Sequence, residues 1–138
     1  MALHQGPVPS FWFGMYHILI IDDDEQIRRI CRTVLELEGY EVEDAPDGVV
    51  GLEKFDERPS DIVLCDIFMP NKDGIETIQE LVQTYFDVKV IAMSGGAPGL
   101  PDYLPSARLF GAADVLRKPF TPTELLSAVR GVLDSNPV

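Results

Sequence analysis

The sequence predicts an α/β protein built around a mostly parallel sheet. Strand-like and helix-like segments alternate along its 138 residues, and this alternation is typical of repeated strand–helix units. The first strand, 17–21, is a nearly continuous apolar run, as expected for a strand covered on both faces. The length suits one domain with a substantial core. We therefore expect a single sheet with helices packed on its faces.

Five strands are predicted from apolar runs that end at polar or turn-forming residues. They span 17–21, 40–45, 61–65, 88–93 and 114–117. The second run alternates apolar and polar residues, which favours a position at the edge of the sheet. Gly39, just before it, offers a left-handed end to the preceding helix.

Three helices are predicted after the first three strands from apolar residues spaced three and four apart. The first presents one apolar face made of Ile27, Ile30, Cys31, Val34 and Leu35. The second, 47–55, carries Val49, Val50, Leu52 and Phe55. The third, 74–85, carries Ile75, Ile78, Leu81, Val82 and either Tyr85 or Phe86.

Two more helices are predicted towards the carboxyl end of the chain. The segment 102–110 contains Pro105, and because proline is tolerated only in a first turn, this helix should be short, late-starting or kinked. The last helix begins at Thr121–Glu124, a capping box with Pro122 at the first helical position. The sequence shows neither an internal repeat nor a linker, so 15–138 is expected to form one domain.

Bulk composition excludes several classes of protein. A formal net charge of −12 argues against direct binding of nucleic acid, which needs clustered lysine and arginine. The longest apolar stretch is too short to span a bilayer, so no contact with a membrane is expected. Cys31 and Cys65 are expected to be small buried hydrophobic residues, which weakly favours a cytoplasmic setting. His4 and His17 are not grouped with them, so no zinc site is predicted.

Residues 1–14 are unlike the rest of the chain. They contain two prolines and two glycines together with Phe11-Trp12-Phe13, without helical or strand periodicity. The segment lacks the basic and long apolar regions of a signal peptide. We interpret it as a leader or tag ahead of Met15; if it is native, its aromatic residues would form a docking element.

Polar side chains follow four of the predicted strands, at the point where each strand ends. These residues are Asp22-Asp23-Asp24, Asp66, Ser94 and Lys118. In an open parallel sheet, ligands bind outside the carboxyl ends of the strands. Closely spaced carboxylates repel one another unless a cation joins them, and Mg²⁺ favours carboxylate, water and phosphate oxygens. The pattern therefore predicts a magnesium-dependent aspartate that accepts a phosphoryl group.

In this interpretation Asp66 is the nucleophile, because aspartate can form an acyl phosphate. The ammonium group of Lys118 and the hydroxyl group of Ser94 would contact phosphoryl oxygens. Each residue also has an ordinary interpretation: helix caps for Asp22 and Asp23, a solvated loop acid, a turn serine and a surface lysine. Their shared position at four strand ends favours one common site.

From about His17 to Leu133 the chain resembles the receiver domain of response regulators in two-component signalling. The resemblance is carried by four motifs in order: Ile-Ile-Asp-Asp-Asp at 20–24, Leu-Cys-Asp-Ile-Phe-Met-Pro-Asn-Lys-Asp-Gly at 64–74, Ala-Met-Ser-Gly-Gly at 92–96 and Lys-Pro-Phe at 118–120. It implies a flavodoxin-like (βα)5 fold of three layers, with a five-stranded parallel sheet in the order 2-1-3-4-5.

The resemblance also implies a role for each site residue. Asp66 matches the phosphoacceptor and a metal ligand; Asp23 matches a direct Mg²⁺ ligand, and Asp22 one that acts largely through water. The backbone carbonyl of Phe68 matches the third protein ligand. Ser94 matches the hydroxyl that moves after phosphorylation, and Lys118 the phosphate-binding lysine, whose bond to Pro119 is expected to be cis.

Two further expectations follow at nearby positions. Asp24 has no counterpart role in the site, and we expect it to cap the first helix. The family often carries Tyr or Phe three residues before the lysine, as part of its conformational switch, but this chain has Val115. The aromatic part of that switch is therefore missing.

As a receiver domain the chain is expected to be a signalling phosphoacceptor rather than an enzyme. A histidine kinase or histidine phosphotransfer protein would donate the phosphoryl group, and an unidentified downstream protein would respond. The chain would be a stand-alone regulator or part of a larger signalling protein, and homodimerisation stays open. Two alternatives are a receiver-like scaffold that works without phosphorylation and an aspartyl-phosphate phosphatase, although the latter needs a second acid at the position of Phe68.

Overall fold

A computed structural model of the protein describes residues 15–69, 74–95 and 104–134. Five parallel strands form one sheet in the order β2-β1-β3-β4-β5. They are β1 (His17–Ile21), β2 (Glu41–Ala45), β3 (Ile62–Asp66), β4 (Lys89–Ser94) and β5 (Asp114–Arg117). The predicted fold class and strand order are confirmed, and the alternating second strand lies at an edge of the sheet.

In the described part of the chain, four α-helices and one 3-10 helix connect the strands or follow them. They are α1 (Glu25–Leu37), α2 (Gly48–Glu57), α3 (Gly74–Thr84), the 3-10 helix (Leu104–Phe110) and α4 (Pro122–Asp134). Asp24 caps α1 by accepting bonds from two backbone N–H groups of the first turn, as expected. Thr121 and Glu124 form the predicted capping box at the start of α4.

The sheet separates two apolar cores, which makes the molecule three layers thick. One core is formed with α1 and α4, through side chains such as Cys31, Leu35, Leu125 and Val129. The other is formed with α2, α3 and the 3-10 helix, through side chains such as Phe55, Ile78, Leu81 and Leu104. Strands covered on both faces read as continuous apolar runs, which explains why the sequence identified β1 and β3 so readily.

Two apolar residues assigned to buried helix faces are exposed instead. Ile30 is 54% exposed and Val49 is 50% exposed. Ile30 directly precedes a buried residue of its helix, and Val49 directly follows one. Side chains of neighbouring helical residues point about 100° apart, so a buried residue can have an exposed neighbour. Ile30 is therefore turned away from the side of α1 on which Cys31 and Leu35 meet the sheet.

The end of the third helix also differs from the expectation. The helix stops at Thr84, and Phe86 is 96% exposed. Tyr85 takes the inner position, with its ring 4.6 Å from that of Phe55 between centroids. Of the two aromatic residues left open by the sequence, Tyr85 is the one that packs against the core.

The helix expected at 102–110 is short, as its proline required. It is a 3-10 helix that begins at Leu104, with Pro105 in its first turn. The part of the predicted helix before Leu104 lies outside the described residues, as does the predicted leader, 1–14. Over the described ranges, the helices are too short or too polar to cross a bilayer.

Candidate functional site

The carboxyl ends of β1, β3, β4 and β5 meet at one edge of the sheet. Asp22 directly follows β1, Asp66 is the last residue of β3, Ser94 the last of β4, and Lys118 directly follows β5. Neighbouring strands are in parallel register, so these four positions lie side by side. The structure therefore brings together the polar strand ends that the sequence singled out.

Three carboxylates form the centre of the site. Asp22, Asp23 and Asp66 each offer one oxygen, and these oxygens all lie within 4.8 Å of one another. Asp22 is fully buried and Asp66 nearly so, whereas Asp23 is exposed. Carboxylate oxygens are the ligands that Mg²⁺ and Ca²⁺ prefer, so the donor set fits a hard divalent cation.

Asp22 is held from several directions. Its Oδ1 accepts a bond from the backbone N–H of Asp24 at 2.9 Å, and its Oδ2 accepts one from Lys118 Nζ at 2.6 Å. Burial raises its pKa, while the bond from Lys118 opposes that rise. The lysine thus supplies positive charge that favours the ionised form of a fully buried carboxylate.

Lys118 lies between two carboxylates. Its Nζ is 3.6 Å from Asp66 Oδ1, farther than from Asp22. Burial alone would lower the lysine pKa, but the bond to Asp22 and the charges of Asp66 and Asp22 raise it overall, so the ammonium stays charged. Its backbone N–H donates to the carbonyl of Ser94 at 3.0 Å, and the bond to Pro119 is cis, as expected.

Asp66 is an unusually weak acid in this arrangement. Burial raises its pKa to about 7, the charges of Asp22 and Asp23 add to the rise, and Lys118 opposes it. At a pKa this close to neutrality the group is only partly ionised at pH 7, and a nearby cation would favour its charged form. Burial and repulsion from Asp22 and Asp23 therefore both favour the protonated form of Asp66.

The remaining predicted site residues lie around this centre. Ser94 is almost fully buried at the end of β4. Phe68 follows Asp66 by two residues and is half-buried against the core formed with α2 and α3. Val115, at the position where the family often has an aromatic residue, is also half-buried against that core. The roles of the Ser94 hydroxyl and the Phe68 carbonyl stay predictions.

Sequence reasoning missed why a glycine stands at the start of α3. A Cβ on Gly74 would lie 1.9 Å from the backbone oxygen of Asp66 and 2.6 Å from Cα of Ile67. Its N–H donates to the carbonyl of Ile67 at 2.9 Å. The helix therefore begins in direct contact with the backbone that carries Asp66, and only glycine leaves the space for it.

A second missed residue is Arg28 on α1. The sequence predicted an amphipathic first helix, and a charged residue such as Arg28 in a helix of this kind is usually solvated. The structure instead places its side chain mostly buried, against the carbonyl of Asp22. Its position four residues after Asp24 was the available signal, because this spacing turns the side chain back over the helix start.

Comparison with known proteins agrees with this architecture. The family model for the response regulator receiver domain matches residues 18–130. The chain belongs to the response regulator receiver domain family.

Individual relatives give the same result at the level of sequence. The transcriptional regulatory protein CpxR of Escherichia coli is 36% identical over 119 residues, which cover 86% of this chain and 50% of that protein. The probable transcriptional regulator ycf27 of Porphyridium aerugineum is 39% identical over 116 residues, 84% of this chain and 47% of the relative. The chain thus spans about half the length of these curated relatives.

Solved structures match over most of the chain. The chemotaxis protein CheY4 of Vibrio cholerae superposes with a TM-score of 0.78 at 30% identity, covering 86% of this chain and 99% of CheY4. The receiver domain of NtrX from Brucella abortus gives a TM-score of 0.80 at 28% identity, covering 86% and 99%. The protein therefore has the receiver fold of CheY-like response regulators.

Proposed function

We propose that this protein accepts a phosphoryl group on Asp66 in a reaction that depends on Mg²⁺, and that the modified domain changes its binding to a partner protein. The observation that carries the proposal is the meeting of three carboxylates and one lysine at the carboxyl edge of the sheet. A carboxylate nucleophile beside a cation site and an ammonium group is what transfer of a phosphoryl group to an acid requires.

Asp22, Asp23 and Asp66, with the carbonyl of Phe68, would hold the metal ion. Bound there, Mg²⁺ supplies positive charge that neutralises carboxylate and phosphoryl oxygens. Three carboxylates with oxygens within 4.8 Å of one another repel when all are ionised, so this cluster favours the binding of a cation.

The transfer step then follows from the position of Asp66. A carboxylate oxygen of Asp66 attacks phosphorus, the new P–O bond forms, and the bond from phosphorus to the donor breaks. The donor would be the phosphorylated histidine of a kinase or phosphotransfer protein, whose imidazole leaves with the electron pair. Lys118 would move its ammonium group from Asp22 towards the new phosphoryl oxygens, and Ser94 would donate its hydroxyl to another.

The output would be a shift between two conformations, since a new dianion at Asp66 changes the charge balance around Lys118 and Ser94. Val115 replaces the usual aromatic residue, so this shift would run through β4 and its loop rather than through a moving ring. A response that acts through protein contacts, in the cytoplasm, is the simplest use of such a domain.

The direct test is incubation with acetyl phosphate and Mg²⁺, followed by intact-mass measurement. We expect wild type to gain the mass of one phosphoryl group, and we expect no gain in Asp66→Asn or in wild type with excess EDTA. Modification that persists in Asp66→Asn would overturn the assignment. Wild type that is never modified, by acetyl phosphate or by phosphorylated kinases, would favour the scaffold alternative.

A further inference from the structure

Arg28 joins the ends of two strands beneath the acidic site. Its Nη1 donates to the backbone carbonyl of Asp22 at 2.7 Å, and its Nε lies 3.5 Å from Asp44 Oδ2. The side chain is only 16% exposed, and arginine is seldom so deeply buried without a specific partner. Asp22 follows β1 and Asp44 belongs to β2, so one guanidinium spans both strand ends.

The carbonyl that Arg28 binds belongs to the peptide group between Asp22 and Asp23. A peptide group is planar, so fixing its oxygen also fixes the N–H and the Cα of Asp23. The N–H of Asp22 is fixed as well, because it donates to the carbonyl of Ala45 at 3.1 Å. The exposed carboxylate of Asp23 has no core packing to orient it, and its position depends on this backbone.

We infer that Arg28 is a positioning residue for the acidic pair, acting through the peptide group between Asp22 and Asp23. The inference rests on the proposed function, because it assigns Arg28 to the metal site of that same reaction. The guanidinium contacts a backbone oxygen rather than a carboxylate of the site. Arg28 therefore fixes the position of the metal ligands, and through that position it controls the affinity for the metal.

Asp44 supports Arg28 in this role. Its carboxylate also lies 3.6 Å from Arg32 Nη1, and its backbone carbonyl accepts a bond from Lys54 Nζ at 2.5 Å. Asp44 thus stands on a well-anchored strand end. A guanidinium holds its donors in a rigid planar fork, so that separate nitrogens of Arg28 reach the Asp22 carbonyl and Asp44, whereas a lysine would offer one nitrogen on a flexible stem.

The test measures Mg²⁺ affinity separately from the rate of phosphorylation. Isothermal titration gives the Mg²⁺ dissociation constant, and acetyl phosphate with increasing Mg²⁺ gives the rate. We expect Arg28→Gln and Arg28→Lys to raise the dissociation constant about 10-fold, with the rate at saturating Mg²⁺ within about twofold of wild type. Asp44→Asn should weaken affinity in the same direction by less.

Arg29→Gln is the matched control. Arg29 is the next residue on α1, its side chain is 78% exposed, and its guanidinium bonds Glu25 on the surface. We expect this variant to bind Mg²⁺ as wild type does. Urea unfolding shows whether each variant folds; should Arg28→Gln fail to fold, Arg28→Lys and Asp44→Asn carry the test.

Three results are decisive. Folded Arg28 variants that bind Mg²⁺ as tightly as wild type would overturn the inference while leaving the proposed function intact. A fall in rate at saturating Mg²⁺ with unchanged affinity would also overturn it, since Arg28 would then act on the transfer step. Wild type that neither binds Mg²⁺ nor accepts a phosphoryl group would remove the proposed function, and this inference with it.

Discussion

The ammonium group of Lys118 lies closer to Asp22 than to the predicted phosphoacceptor, Asp66. The Nζ atom lies 2.6 Å from Asp22 Oδ2 and 3.6 Å from Asp66 Oδ1. Asp22 is completely buried, so the lysine stabilises a carboxylate that water cannot reach. Without a metal ion, one ammonium group therefore contacts two acids, and it lies closer to the more deeply buried one.

Removing this lysine should destabilise the fold, and Mg²⁺ should restore part of the loss. In Lys118→Met, Asp22 keeps its burial but loses its cation, and breaking a buried pair costs about 3–5 kcal/mol. We expect a loss at the lower end of that range in EDTA, by urea unfolding, and a smaller loss in excess Mg²⁺. Lys89→Met is the control, because Lys89 donates to the carbonyl of Val132 rather than to an acid. Equal losses with and without Mg²⁺ would contradict this account.

Neutralising Asp66 should stabilise the metal-free protein in a way that depends on pH. Because the folded-state pKa of Asp66 is about 7 and its ordinary value is 3.8, the native state holds this proton more tightly than the unfolded state. Wild-type stability therefore falls as pH rises from about 4 through 7. Asp66→Asn escapes that fall, and we expect it to gain on the order of 1 kcal/mol or more at pH 8 in EDTA, with the gain vanishing near pH 4. A constant difference at all pH values would contradict the shift.

Gly74 and Gly131 should respond in opposite ways to the same substitution. A Cβ on Gly74 meets the backbone of Asp66 at 1.9 Å, whereas a Cβ on Gly131 meets no heavy atom within 4 Å. We expect Gly74→Ala to destabilise by about 2 kcal/mol or more and to slow phosphorylation, because the start of α3 must move away from Asp66. Gly131→Ala, in the interior of α4, should stabilise by roughly 0.5–1 kcal/mol. Chemical unfolding measures both, and a neutral Gly74→Ala would show that the helix start can shift freely.

His17 lies at the end of the sheet opposite the site, and it should make the stability of the fold sensitive to mild acid. The imidazole is buried, with Nδ1 3.0 Å from Ser60 Oγ and Nε2 3.0 Å from Glu43 Oε1. Burial lowers its pKa below 6.5, helped by Arg58, although Glu43 and other acids oppose the shift. As pH falls, the unfolded state therefore takes up this proton before the folded state does. The stabilisation contributed by neutral His17 is complete above pH 6.5 and is lost as pH falls through the folded-state pKa.

The variant His17→Gln isolates this effect. We expect the difference in unfolding free energy between wild type and variant to shrink as pH falls from 7.5 to about 5, as the wild type loses its advantage. Urea unfolding at several pH values measures the difference. A difference that does not change with pH would mean that His17 titrates alike in both states.

The sequence predicted most of the architecture because its signals are local. Strands covered on both faces are continuous apolar runs, and the capping box at Thr121–Glu124 marks a helix start by itself. The polar strand ends followed from the strands, since parallel strands end at one edge. Ile30 and Val49 were assigned wrongly because an apolar side chain carries no information on whether a partner covers it.

The contacts around the site could not be predicted in the same way, because they join distant parts of the chain. The preference of Lys118 for Asp22, the approach of α3 to Asp66 through Gly74, and the reach of Arg28 to the carbonyl of Asp22 all depend on tertiary packing. In each case the residue type allows the contact but does not predict it. Arginine on a helix is ordinarily solvated, and the burial of Arg28 becomes visible only once β2 brings Asp44 beside it.

Chemical mapping of the acceptor tests most directly whether Asp66 receives the phosphoryl group. After reaction with acetyl phosphate and Mg²⁺, borohydride reduces an aspartyl phosphate to homoserine, and peptide mass mapping locates the changed residue. We expect homoserine at position 66, and none when Mg²⁺ is removed. Homoserine at another acid, or an unmodified Asp66 in protein that has gained a phosphoryl group, would contradict it.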